Sequence, residues 1–104
     1  MADPMKIRAS MQGDKVLVRV LMSHEMETGQ RKDAAGTLVP AHFIQSVTAI
    51  HQGKTVLSAE WGPAVSKNPI LQFQFAGGKP GETVQIIWID NKGDKRIDEA
   101  KIAA

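Results

Sequence analysis

The stretch HEMETGQRKD, His24 to Asp33, gathers one histidine, three carboxylates, two cations and a glycine into ten positions. Together with His42 it is the part of the chain best supplied for chemistry. Metal binding is the first reading, because His24, Glu25, Glu27 and His42 are all borderline or hard ligands. On an extended backbone, however, successive side chains alternate sides, so His24 points away from Glu25 and Glu27. The metal arrangement left open is His24, His42 and one loop carboxylate. General acid–base catalysis needs a pocket that shifts a pKa beside a held substrate or nucleophile. The serines at 10, 23, 46, 58 and 66 lie in no Gly-x-Ser-x-Gly context. The non-chemical reading is a solvated loop in which Arg31 and Lys32 offset Glu25, Glu27 and Asp33, through ion pairs worth at most ~1 kcal/mol each.

Other candidates are weaker. Gly77-Gly78-Lys79-Pro80-Gly81 has the composition of a phosphate cradle but leads into a strand-like run, whereas phosphate loops open a helix, so a turn is expected. Asp90-Asn91-Lys92-Gly93-Asp94 resembles the start of a calcium loop, yet the twelfth position is Lys101 and not a glutamate, which leaves a hairpin turn. His51, beside Gln52-Gly53, is expected at the surface, and His42 is expected to make a structural hydrogen bond.

The elements that must position these residues follow a period of two. Ile7, Ala9 and Met11 alternate with Lys6, Arg8 and Ser10, as in a half-buried strand. Val16 to Met22 is almost continuously apolar, broken by Arg19, and predicts a central strand covered on both faces. Further runs are Phe43 to Ile50, Thr55 to Trp61, ILQFQF from Ile70, Glu82 to Ile89, and Lys95 to about Ile102. Seven short strands separated by Gly, Pro and Asn turns predict an all-β chain, an antiparallel immunoglobulin-like β-sandwich, with Trp61 and Trp88 in the core. The 104 residues form one domain, 1–104. The irregular element is the 18-residue connection from Ser23 to Pro40, long for a compact domain and therefore functional or mobile. HEMETGQRKD lies inside it.

Composition removes several function classes. Thirteen cations and eleven carboxylates are interspersed, aromatics are 5% and tyrosine is absent, which is a poor footprint for nucleic acid. The absence of cysteine excludes disulfides, thiolate catalysis, iron–sulfur clusters and thiol zinc sites. No apolar run reaches the ~20 residues of a membrane helix, so no membrane insertion is expected. MADPMKIRAS has no apolar signal segment, which by itself implies the cytoplasm.

LMSHEMETGQRKD, VPAHFI, WGPAVSKNP, QFQFAGGKPGETV and WIDNKGD resemble the SoxZ family, the cysteine-free subunit of the carrier complex of bacterial sulfur oxidation. The likeness runs from about Lys6 to Asp98, and HxMETGxRKD is its most specific part. It implies a non-catalytic immunoglobulin-like subunit without cofactor or metal, bound to a SoxY-type partner. In that family the partner's C-terminal cysteine arm holds the sulfur intermediate of thiosulfate oxidation, and other Sox enzymes meet the complex transiently. The resemblance also implies a periplasmic location, reached without a signal peptide by co-export with the signal-bearing partner. On this reading His24, Met26, Glu27, Thr28, Gly29, Arg31, Lys32 and Asp33 form a partner-binding loop, with Met26 supplying apolar contact and Arg31 bidentate recognition. The alternative is a small metal- or ligand-binding enzyme domain using His24, His42 and the loop carboxylates.

Overall fold

The computed structural model describes residues 3–104. Its strands are β1 (Lys6–Gln12), β2 (Lys15–Leu21), β3 (Ile44–His51), β4 (Lys54–Glu60), β5 (Ile70–Ala76), β6 (Thr83–Asp90) and β7 (Lys95–Ala103), and no helix occurs among the described residues. They hydrogen-bond in the order β4-β3-β6-β7-β1-β2-β5. Every pairing is antiparallel except β1 with β7, a parallel seam of two residue pairs, Ala9 with Ile102 and Ser10 with Ala103. The seam joins a β4-β3-β6-β7 layer to a β1-β2-β5 layer, whose apolar faces turn toward each other. The all-β expectation holds, with this seam as the one departure from a wholly antiparallel arrangement.

The alternation seen in the sequence becomes burial. Val16, Val18 and Val20 of β2 face Val47 and Ala49 of β3 and Val84, Ile86 and Trp88 of β6 in one core cluster. Each large aliphatic residue removed from water there contributes about 1.5–3 kcal/mol before conformational entropy is counted. Trp88 is fully enclosed, and Trp61 packs at the margin. The expectation that β2 is covered on both faces is not met: Arg19 and Leu21 look into solvent, because only one layer packs on β2. Its apolar run reflects a buried face plus Leu17 and Leu21 on the other side.

Two turns set the register. Gln52 and Gly53 both have positive φ, 50° and 75°, the pair of left-handed residues that a tight β-hairpin needs, and they join His51 to Lys54. Gly93, with φ of 83°, closes the β6–β7 turn. Both match the hairpins expected from the sequence.

The connection from Ser23 to Pro40 is not structureless. It folds on itself as an irregular two-stranded finger, with bridges between Glu27 and His42 and between Lys32 and Leu38. Asp33 shapes the tip: its Oδ1 accepts from the N–H groups of Ala35 and Thr37 at 2.9 and 3.0 Å.

Candidate functional site

The two roots of the finger converge on one carboxylate, Asp90. Its place follows from strand period: Val84, Ile86, Trp88 and Asp90 are the inward residues of β6, so the last inward position carries a charge. The side chain is completely buried and accepts four hydrogen bonds. Oδ2 takes His24 Nε2 at 3.0 Å and His42 Nε2 at 2.8 Å, and Oδ1 takes the N–H groups of Lys92 and Asp94 at 3.0 and 2.9 Å. Burial pushes the Asp90 pKa up, but these four donors together outweigh it and hold the carboxyl below its ordinary value.

The backbone decides the His24 tautomer. Met26 N–H donates to His24 Nδ1 at 3.1 Å, so Nδ1 is the unprotonated acceptor and Nε2 carries the hydrogen given to Asp90. That donation requires Met26 to adopt φ of 51°, a left-handed conformation unusual for this residue type. The same bend turns the Met26 side chain into the core, where its sulfur accepts from the Ile44 N–H at 3.4 Å. His24 and His42 pack ring to ring at 4.4 Å, and the Trp88 ring stands perpendicular to His24 at 5.1 Å. The Trp88 indole N–H is buried without a hydrogen-bond partner. Beside the cluster opens a cavity of about 390 Å³ lined by Ser23, His24, Glu25, His42, Lys67 and Asn68 among others. Asn68 holds the first root from outside, accepting from the His24 N–H through Oδ1 at 3.1 Å and donating its own N–H to the His24 carbonyl at 2.9 Å.

Of the residues singled out from the sequence, His24 and Met26 lie inside and are only 7% and 5% exposed. Met26 is therefore no surface contact, a correction that follows from its left-handed backbone. Glu27 is half-buried and holds Arg31 Nε with both oxygens, at 3.0 and 2.8 Å, which raises the Arg31 pKa through that hydrogen bond and the charge of Glu27. Gly29 has φ of 87° and passes so near Ala41 that an added Cβ would sit 3.1 Å from the Ala41 side chain. Thr28, Arg31, Lys32 and Asp33 remain exposed, with Asp33 engaged in the tip turn.

His42 makes the structural hydrogen bond expected of it. His51 does not lie at the surface: it is 8% exposed, bonds Glu82 at 2.9 Å and packs on Phe75 at 4.9 Å. Sequence reasoning assumed a strand-end histidine would face outward, whereas the period of β3 turns it in. The residue missed is Asp90. The available signal was its phase, inward with Val84, Ile86 and Trp88.

His24, His42 and Asp90 present ligand atoms within 4.8 Å of one another. The carboxylate in that group is Asp90, and none of the finger's own carboxylates joins it. A histidine that binds metal through Nε2 normally carries its hydrogen on Nδ1 and donates it to a second-shell acceptor. Here Nδ1 faces a donor, the Met26 N–H, which opposes that state. The arrangement is built to clamp a carboxylate.

The molecule is thus an all-β sandwich whose long finger is rooted in a buried His–His–carboxylate cluster. Solved structures share the architecture: superoxide reductase from Ignicoccus hospitalis (TM-score 0.59, 17% identity, covering 98% of this chain and 80% of that one) and a hypothetical protein from Pyrococcus horikoshii (TM-score 0.61, 18%, 96% and 88%). A superoxide reductase variant from Archaeoglobus fulgidus is similar at TM-score 0.59, 17% identity, 96% and 86% coverage. At these identities the likeness is one of fold. Comparison with curated protein sequences gives no match. Residues 5–101 match the family described as sulphur oxidation protein SoxZ, and the chain belongs to that family.

Proposed function

We propose that this chain is the non-catalytic subunit of a heterodimeric sulfur-carrier complex in thiosulfate oxidation, supporting a SoxY-type partner whose C-terminal cysteine arm holds the sulfur intermediate. The observation that carries the reading is the family match over nearly the whole chain, in a sequence with no cysteine. A chain without a thiol has no side chain to hold sulfane sulfur by a disulfide-type bond, so the covalent role falls to another subunit. In this reading the complex works in the periplasm, reached by co-export with the partner, and other Sox enzymes engage it transiently.

The finger is the proposed seat for the partner or its arm. The outward residues Thr28, Arg31 and Lys32 carry the contact, and Leu38, 55% exposed near the tip, supplies the apolar element that Met26 does not. The Asp90 clamp holds the finger's base in one orientation, which lowers the ordering cost of association. Pull-down from periplasmic extract of thiosulfate-grown cells, followed by intact-mass measurement, tests the proposal. A stoichiometric partner with one cysteine near its C-terminus and sulfur-sized mass adducts is expected. Recovery of the chain alone with a bound metal would instead make His24, His42 and Asp90 a candidate active site.

A further inference from the structure

The outward face of the β1-β2-β5 layer carries an arrangement that the fold alone does not require. The strand registers order its twelve outward side chains into four rows: Lys6, Leu21, Ile70; Arg8, Arg19, Gln72; Ser10, Leu17, Gln74; and Gln12, Lys15, Ala76. Four are cations and none is a carboxylate. All four lie in residues 4–24, a stretch whose one carboxylate is Asp14, and the β1–β2 hairpin sets them on one face. Arg8 lies directly opposite Arg19, a like-charged cross-strand pair that destabilises a sheet. Neither arginine, nor Lys6 or Lys15, forms an ion pair among the described residues. Leu21 and Ile70, 41% and 62% exposed, close one end of the array. Between them and the arginines runs a groove of about 250 Å³ lined by Lys6, Arg8, Arg19, Val20, Leu21 and Ile70.

We infer that this face is a docking surface for an acidic, extended segment of a protein partner, bearing carboxylates that meet Arg8 and Arg19 and an apolar side chain that covers Leu21 and Ile70. Charge complementarity selects the occupant: four unopposed cations repel a second copy of this face and attract carboxylates. The apolar end selects a polypeptide over a phosphate backbone, because nucleic acid would leave Leu21 and Ile70 uncovered and the face offers no aromatic ring for stacking. A permanent interface would be depleted of charge at its centre, whereas here the arginines are central, so the contact is electrostatically steered and salt-sensitive. The face is distinct from the outward side of the finger, and the inference stands whether or not the finger seats a carrier subunit.

The test uses the ¹⁵N-labelled chain titrated with a short peptide alternating glutamate and leucine, with the glutamine–leucine peptide, a single-stranded oligonucleotide and phosphatidylglycerol vesicles as competing probes. The expected result is saturable shifts of β1, β2 and β5 amides with the glutamate peptide alone. Binding should weaken roughly tenfold in the Arg8→Gln/Arg19→Gln variant and fall with added salt. Arg8→Glu converts the like-charged pair into an opposite one, and should raise the melting temperature by about 2–4 °C while weakening peptide binding. Each of the following overturns the inference: no saturable shift, equal binding of the glutamine peptide, shifts confined to the finger or the other layer, or binding of only the oligonucleotide or the vesicles. None of these readouts involves sulfur turnover or the cysteine-armed partner.

Discussion

Replacing Asp90 by Asn exchanges one carboxylate oxygen for an NH₂ group and leaves the shape intact, which makes it the sharpest probe of the clamp. The wild-type carboxylate faces four donors, two of them backbone N–H groups that cannot alter. An asparagine carbonyl can satisfy those two, but its NH₂ must then meet the His24 and His42 Nε2 atoms. His24 cannot turn acceptor at Nε2, because its Nδ1 would then need a hydrogen pointing at the Met26 N–H. Two charge-assisted bonds of ~1.5 kcal/mol each are lost and a buried donor is stranded at ~1–3 kcal/mol. Part is returned because a buried charge no longer has to be desolvated, leaving a net loss of about 3 kcal/mol. At roughly 2.1 cal/mol/K per residue the unfolding entropy of a chain this long is about 0.2 kcal/mol/K, so the melting temperature should fall by about 14 °C. Calorimetry at neutral pH measures it.

The sign of the pH dependence provides a second check on the same variant. The folded-state pKa of Asp90 is lowered, so its contribution is complete above the ordinary value of 3.8 and is lost as pH falls through the folded value. The stability gap between wild type and Asp90→Asn should therefore be widest near neutrality and close progressively below about pH 4. A drop smaller than about 5 °C, or a gap constant down to acid unfolding, would refute the tautomer argument and reopen the cluster to metal.

Three further outcomes are expected. Arg31→Ala should leave the melting temperature within about 2 °C, since its bond to Glu27 is exposed, but weaken partner binding at least fivefold by titration calorimetry; unchanged affinity removes the finger from the interface. Gly78→Ala should cost about 2 kcal/mol in denaturant unfolding, because the new methyl runs into Val16 and crowds Ile102 and Phe75 3.2 Å away, and a neutral result would mean that the Gly77–Gly81 turn yields easily. Zinc titrated onto the chain should bind no more tightly than to the His42→Ala variant, as the Met26 N–H blocks the Nδ1–H form of His24; stoichiometric tight binding that His42→Ala abolishes would contradict this.

Strand positions were legible because each of the seven buries one face, and a half-buried strand advertises itself as alternation. ILQFQF is the clearest case: Leu71, Phe73 and Phe75 point in and Gln72 and Gln74 point out. What stayed hidden depends on which strands meet. Nothing local tells Asp90 that it will lie under two histidines 66 and 48 residues away, or tells Leu21 that it will face Ile70. The finger was legible as an oddity of length and charge, but its hairpin-like pairing was not. It rests on a left-handed Met26, a conformation its residue type does not signal, and on a tip turn that Asp33 favours without telling which segments it brings together.

The order of strand pairing also has a kinetic meaning. β2 lies against β5, with Leu21 opposite Ile70, and β1 closes on β7 across more than ninety residues, Ala9 with Ile102. Contacts so distant along the chain must meet the entropy of loop closure before any burial rewards them. The β1–β2, β3–β4 and β6–β7 hairpins can each form from neighbouring residues, yet the β1-β2 ribbon finds its two further neighbours only when β5 and then β7 reach it. The β1–β2 hairpin therefore brings its four cations together early, whereas the third strand of that face, β5, and the Asp90 that roots the finger join late, so a partner that reads the whole surface meets it only after the long-range pairings have closed.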